Sequence, residues 1–391
     1  MIPIEDALKK ILDSGKVLSS EKLSLVNAFN RILAEDVISD IDIPSFNKSA
    51  MDGFAIRSVD IKNELEVIEF IPAGSKAEKE LKENQCSRIM TGGMVPKGAD
   101  SVIMIEHTEE LANGKIRFIK DRSKSNILYQ GEDIKRGDLV LKKGTLLSAA
   151  QIGILAGAGK TKPLVYCNPK IAIASTGSEL VEPGMFPEPP FIRNTNSYHL
   201  QALCKREGIA AFNAGILEDN PQLITKKIQE LLENNDIVIF TGGASFGDHD
   251  FSKKVMENLD ADIKFTRLAI QPGRPVLFAT VGGKYLFGLS GNPVSSSVQF
   301  ILLVRPFIQF LTGNKQLTKT YQLPMGEANS RKKADRALFF PIQISPDSKA
   351  FPLNYHGSAH LNAFEKAEAL ACFPIGKTEL KEGETVDVRP L

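Results

Sequence analysis

Five carboxylates could do chemistry here. Asp52, Asp133, Glu179, Asp219 and Asp250 stand in glycine-containing or turn-like stretches, not on periodic helix faces. Side-chain oxygens placed in loops can hold a hard cation such as Mg²⁺. The same residue types also form turns and helix caps, so their placement in space decides the matter. Three glycine motifs follow short apolar runs. They are Ser175-Thr176-Gly177 after 171–174, Thr241-Gly242-Gly243 after 236–240, and Ser290-Gly291-Asn292-Pro293 after 285–289. Glycine lets the backbone approach a ligand closely, and a helix start presents free N–H groups to anions. One such motif reads as an ordinary strand-to-helix turn. Three at the carboxyl ends of strands in one sheet predict a ligand crevice.

The elements that must position these residues follow from periodicity. Residues 4–13 carry a helical pattern (Ile4, Ala7, Leu8, Ile11, Leu12) that ends at Ser14-Gly15, and a second helix is predicted over 24–34. From 36 to about 144 the pattern becomes β-rich, with short runs at 67–71, 101–106, 116–119 and 139–141 between Gly, Pro and Asn turns. From 169 onward strands alternate with helices. Strands are expected at 171–174, 209–214, 236–240, 265–269, 276–280 and 285–289. Helices are expected at 197–206, 221–233, 251–259 and 293–310, two of them opened by Pro. This rhythm predicts a mainly parallel, doubly wound sheet covered on both faces. After 314 short strands return and predict a small β-barrel.

Composition excludes several classes. The chain has 391 residues, 42% hydrophobic and 24% charged, with a net charge of +1. That length calls for several domains. The near-zero charge gives no field toward nucleic acid or acidic membranes, so any anion site must be built locally. The start lacks a basic n-region and an apolar h-region. The best apolar run, 300–310, is interrupted by Arg305 and Pro306, so no membrane span is expected. The cysteines at 86, 167, 204 and 372 form no C-x-x-C pair. They read as buried thiols in a reducing, cytoplasmic setting.

Four further strings complete an ordered set: Ser49-Ala50-Met51-Asp52-Gly53-Phe54-Ala55, Met90-Thr91-Gly92-Gly93, Gly131-Glu132-Asp133 and Gln271-Pro272-Gly273-Arg274-Pro275. With the three motifs above, extended to Ser178-Glu179-Leu180 and Val294-Ser295, the chain resembles the molybdopterin molybdenumtransferase family, which includes MoeA and the gephyrin E domain. The resemblance implies a four-part α/β plus β molecule. A molybdopterin-binding α/β domain would cover 1–19 and 169–317, and a linking domain 20–38 and 138–168. An inserted β-rich arm would cover 39–137, and a C-terminal small β-barrel 318–391. The N-terminal helix would pack back on the α/β domain.

The implied activity is insertion of molybdenum from molybdate into adenylylated molybdopterin, with Mg²⁺-dependent cleavage of the phosphoanhydride and release of AMP. Asp52, Glu179 and Asp250 would be catalytic, and Glu179 and Asp250 would hold the metal. Thr176, Gly177, Gly242, Gly243, Asn292 and Pro293 would bind pterin and phosphates, with Thr91, Asp133 and Asp219 beside them. Arg274, Ser295, Ser358 and Arg336 would hold the oxyanion. A homodimer is implied, each site lying between one subunit's arm and the other's α/β and C-terminal domains. A molybdopterin adenylyltransferase would supply the substrate.

The chain departs from the family pattern at four places: Gln271 where lysine is usual, Ser290 for proline, Leu128 for arginine, and Pro341 near an expected arginine. Three cationic positions are thus neutral. A molybdopterin-binding carrier or scaffold without catalysis is therefore a competing class. A molybdopterin adenylyltransferase is a third reading, although it would have no use for the Ser49–Ala55 string.

Overall fold

The computed structural model describes residues 1–120, 123–242, 251–315, 317, 320–355 and 357–391, without the side chains of 251–253. Helix α1 (Ile4–Ser14) buries Ile4, Ala7 and Ile11 along one face, as its 3–4 spacing dictates. That face packs against the central α/β unit, so the implied return of the N-terminal helix is observed. The Ile2 amide adds a hydrogen bond to the Arg267 carbonyl at 3.2 Å.

The α/β unit holds, in chain order, β1 (Ile171–Thr176), α2 (Asn196–Arg206), β2 (Phe212–Leu217), α3 (Pro221–Asn234) and β3 (Ile237–Thr241). Then come α4 (Phe251–Asn258), β4 (Asp262–Arg267), β5 (Pro275–Val281), β6 (Lys284–Leu289) and α5 (Pro293–Leu311). The strands lie in the order β2-β1-β3-β6-β5-β4. The first four are parallel, and β5 alone is reversed, pairing antiparallel with both β6 and β4. The sheet is therefore mixed. The short Val281–Lys284 turn allows only a hairpin return, whereas parallel neighbours need a crossover.

Alternation along β1 explains the two-faced burial. Ile171 and Ile173 face a core shared with α1, α2 and α5, while Ala172 and Ala174 face a core shared with α3 and α4. Phe278, Phe287 and Phe307 meet with ring centroids 4.8 to 5.9 Å apart. α5 is long and apolar enough to cross a membrane by length and composition, contrary to the expectation from Arg305 and Pro306. Yet 89% of its apolar window is buried inside the protein, so it is the core helix. Pro306 cannot donate to the Leu302 carbonyl, and the preceding turn widens to a π-helix over Phe300–Val304.

The helix predicted over 24–34 does not form. Only one 3₁₀ turn is present, Val26–Ala28. The segment spends its backbone groups across the fold, with Asn30 N–H on the Leu147 carbonyl, Leu33 on Thr145 and Ala34 on Leu164. Val26 is left exposed and Leu33 is fully buried. Tertiary pairing overrides the local periodicity. Ser20–Lys22 pairs with Leu164–Tyr166, and Val37–Ile38 with Leu139–Leu141. The arm centres on a four-strand sheet of Glu66–Ile71, Gln85–Ile89, Gly53–Ile56 and Ser101–Met104.

In the C-terminal unit Tyr321–Pro324 pairs with Thr385–Pro390, which pairs with Ala369–Phe373, then Ala337–Ile344, then Ala350–Pro352. A bridge from Met325 to Ala350 closes this ring around Phe340, Phe373 and Val388. A small barrel results, as expected. Gln271 joins its edge, because Ile270–Gln271 runs parallel to Ala337-Leu338.

Candidate functional site

The topology makes one crevice. From β1 the chain crosses to β2 on one side, then returns past β1 to β3 on the other. The carboxyl ends of β1 and β3 therefore mark a switch point, where open α/β sheets take ligands. A cleft of about 710 Å³ lies there. Its lining includes Thr176, Glu179, Thr241, Gly242, Asn292 and Pro293, so all three predicted strand-end motifs reach one cavity.

Gly242 makes the close approach possible. Its φ is +86°, and a Cβ there would lie 2.2 Å from the Thr176 carbonyl oxygen. Only glycine permits both. Glu179 lies over Gly177, where a Cβ would meet its Oε2 at 2.6 Å. The Glu179 carboxylate has no hydrogen-bond partner among the described residues, so its oxygens remain free for a ligand or cation.

Beneath the cleft lies a buried polar rivet that the sequence reading missed. Ser175 Oγ sits 2.8 Å from Ser197 Oγ, 3.0 Å from Thr241 Oγ1 and 3.0 Å from Asn194 Oδ1. All four residues are at most 1% exposed. Asn196 Nδ2 donates to the Gly291 carbonyl at 2.7 Å, tying the start of α2 to the start of α5. Gln299 is fully buried. Its Nε2 donates to the carbonyls of Gly273 (2.8 Å) and Pro275 (2.6 Å), and its Oε1 accepts from Ser290 N–H at 2.8 Å. One amide thus locks the Pro272-Gly273-Arg274 loop to the strand end before α5. Arg193 also lines the cleft. The available signal was the polar run Arg193-Asn194-Thr195-Asn196 just before a periodic helix. Gln299 carried none, because a glutamine inside an apolar helix shows its partners only in three dimensions.

Other predicted residues lie around the cleft or away from it. The Asp219 carboxylate accepts from Ser178 N–H at 3.0 Å, fixing the loop before Glu179. Ser295 is 2% exposed and does not line the cleft, so its hydroxyl is not offered to an oxyanion there. Ser358 uses its carbonyl to accept from Val294 N–H at 3.1 Å, and the cleft is lined by its neighbour Ala359. Arg274 is exposed, and its neighbour Pro275 lines the cavity. Arg336 Nε donates to Asp335 at 3.2 Å, just before the Ala337–Ile344 strand that pairs with Ile270-Gln271. Pro341 is buried in that strand. Gly243 and Asp250 lie outside the described residues.

The arm holds a separate group. Strand register puts Gly53 opposite Ile89, so Asp52 and Thr91 stand at adjoining ends. Asp52 Oδ1 accepts from Thr91 N–H and from Thr91 Oγ1, both at 2.7 Å. The amide first, and then the hydroxyl, hold the Asp52 carboxyl below the usual carboxylate range. Asp133 is exposed on the same arm. None of these three lines the cleft within one chain.

Mg²⁺ is the cation that the family resemblance implies. Among the described residues no three His, Cys, Asp or Glu side chains form a cage. Mg²⁺ usually takes one or two protein carboxylates, with water and phosphate oxygens completing the shell. Unpartnered Glu179, with hydroxyl and amide groups around it, fits that kind of site.

Fold and cleft define a multidomain protein built around a small-molecule site at an α/β switch point. Comparison places it more closely. Residues 2–159 match the MoeA N-terminal region (domain I and II), 172–309 a probable molybdopterin binding domain, and 327–391 the MoeA C-terminal region (domain IV). The chain is 37% identical to a molybdopterin molybdenumtransferase of Staphylococcus epidermidis, covering 99% of this chain and 95% of that one. It is 34% identical to the Staphylococcus aureus counterpart at the same coverage. A molybdopterin biosynthesis MoeA protein from Pyrococcus horikoshii superposes over the full length of both chains with a TM-score of 0.85 at 31% identity. The chain belongs to the MoeA family of molybdopterin molybdenumtransferases.

Two outcomes follow from this geometry. Gln299→Leu strands two carbonyls and an amide, and should cost about 2–4 kcal/mol in denaturant unfolding. A loss under about 0.5 kcal/mol would show that the amide does not lock the loops. Asp52 has a depressed pKa, so its tie to Thr91 is complete above the ordinary aspartate value and is lost as pH falls through the folded value. The Thr91 amide resonance should therefore titrate below about pH 3.9. Thr91→Val should move the Asp52 midpoint upward, and an unchanged midpoint would remove the hydroxyl from the account.

Proposed function

We infer that this chain is a transferase of molybdenum cofactor biosynthesis that inserts molybdenum from molybdate into adenylylated molybdopterin, cleaving the phosphoanhydride and releasing AMP. One observation carries the reading. The three strand-end motifs converge on a single cleft of about 710 Å³, inside the segment that matches a molybdopterin-binding domain. The cleft's volume is in the range of small-molecule sites, and its hydroxyl, amide and backbone groups suit phosphate oxygens.

The residues divide the work. Thr176, Gly242 and the Asn292-Pro293 helix start bind the pterin and its phosphates, with close backbone approach at Gly242. Glu179 holds Mg²⁺ with its free carboxylate, and Asp250 is its proposed second ligand. The ion supplies charge neutralisation at the phosphoanhydride. Arg274 and Arg336 serve molybdate from the segments flanking the paired Ile270-Gln271 and Ala337-Leu338 strands. Gly177, Asp219, Ser295 and Ser358 position these loops.

Asp52, Thr91 and Asp133 act from the arm of a second subunit. Their absence from the cleft lining of their own chain supports a homodimer with shared sites. The substrate donor is a molybdopterin adenylyltransferase, and free, largely buried thiols suit the cytoplasm. The chain divides into units at 1–19 with 169–317, 20–38 with 138–168, 39–137 and 318–391.

AMP release from adenylylated molybdopterin with Mg²⁺ tests the reading. Release should require molybdate and should fall about 100-fold or more in Glu179→Gln. Tight binding without release would identify a carrier or scaffold, with Gln271, Ser290, Leu128 and Pro341 as the lost catalytic equipment. Neither binding nor release would reject the function. A mixed dimer of Asp52→Ala and Glu179→Ala subunits should recover activity at one of its two sites. Inactive, properly formed mixed dimers would reject the shared site.

A further inference from the structure

The cleft's lining holds one cationic side chain, Arg193, among the described residues. Apart from Glu179, the other lining groups are neutral hydroxyls, amides, backbone and apolar surface. Three features make Arg193 more than a surface cation. Its strand is wired to the Glu179 loop, because Leu180 pairs with Ile192 and Val181 with Arg193. The bonds are Ile192 N–H to the Glu179 carbonyl and Asn194 N–H to the Val181 carbonyl, each 2.8 Å. Second, Nε donates to the Met185 carbonyl at 3.1 Å, which fixes the guanidinium plane. Third, the terminal NH₂ groups have no partner among the described residues, so both prongs of the fork stay available. The next residue, Asn194, is anchored in the buried Ser175–Ser197 network. The cation is thus mounted next to the buried polar network of the site.

A phosphoanhydride needs such a group. Its charge is spread over several oxygens, which a planar fork engages bidentately. Gln271, Ser290 and Asn292 supply no positive charge. We propose that Arg193 is the anion-positioning residue of this cleft, holding the diphosphate portion of the ligand beside the Glu179 carboxylate. This rests on the cleft being the nucleotide-linked pterin site. It adds a residue and a ligand feature that the motif reading did not contain. The Arg193 fork takes phosphate oxygens on one side while Glu179 keeps its oxygens for the cation on the other. Binding should thus require charge on the ligand more than any particular base or ring.

The test uses two probes, ADP and adenosine, with the full-length protein and Mg²⁺ in calorimetry. Arg193→Gln should weaken ADP about 10- to 100-fold and leave adenosine unchanged. Glutamine can still donate to the Met185 carbonyl, so the loop tether survives. Arg193→Lys should fall between, keeping charge and losing the fork. Wild-type ADP affinity should decline with salt more steeply than that of Arg193→Gln. Equal ADP affinity in wild type and Arg193→Gln overturns the proposal, as does equal loss for adenosine, which marks a purely structural role. No ADP binding by the wild type overturns it as well. An ADP effect with no molybdate-dependent AMP release would leave Arg193 in place and reject only the insertion chemistry.

Discussion

The constraint that the rest of the molecule depends on is the burial of α5. This helix must lie almost entirely inside the protein while its first turn borders the cleft. Its middle and end pack on Phe278, Phe287 and α1, which fixes the helix axis to the sheet. Its start is then placed by polar bonds that exist only because the axis is fixed. Asn196 reaches the Gly291 carbonyl, Gln299 spans three backbone groups, and Ser358 caps Val294. The last of these comes from the C-terminal unit. Arg305, buried near the other end, donates to the Pro390 carbonyl at 2.7 Å and stands 3.1 Å from Glu207. The barrel is therefore tied to the helix at both ends. A shift of either end would reach the cleft through rigid packing.

The same logic explains why the cleft is polar in its floor and open at its mouth. Serine, threonine and asparagine at 0–1% exposure would each be costly if unpaired. They are paired with one another, which holds β1, β3 and α2 in one arrangement. No apolar substitute would orient two strand ends and a helix start so specifically. The charged groups, Glu179 and Arg193, are kept above that layer, where water or a ligand can solvate them. Rigidity below and charge above is the usual demand of a preorganised site.

Much of this was legible in the sequence, and the failures have physical causes. Strand-end glycines could be read because close backbone approach leaves a compositional mark at Gly242 and Gly177. Helices with one apolar face could be read at Ile4, Ala7 and Ile11, since burial there repeats with the helical period. The stretch 24–34 shows the same period and is not a helix, because its amides find carbonyls at 145, 147 and 164. Sequence periodicity cannot see partners 110 or more residues away. Gln299 was invisible for a different reason, since its partners at 273, 275 and 290 are closer in sequence but meet it only through the packing of α5 on the sheet. Ser295 was placed in the site because it follows Gly291-Asn292-Pro293, but a residue in a first helical turn faces the cleft or the core according to phase, and this one is buried.

The neutral residues at 271 and 290 bear on how the site balances charge. Ser290 donates its N–H to Gln299 Oε1, and its hydroxyl oxygen accepts from Asn292 N–H at 3.3 Å, so both groups serve the loop. Gln271 lies exposed on a strand joined to the barrel, at the edge that carries Arg336. A cation absent at 271 does not leave the cleft without positive charge, because Arg193 lines it. The Arg193 Nε is held by the Met185 carbonyl, while outside the lining the Arg336 Nε is held by the Asp335 carboxylate. A guanidinium anchored at Nε keeps its orientation with or without an anion beside it, which is the condition for a preorganised contact.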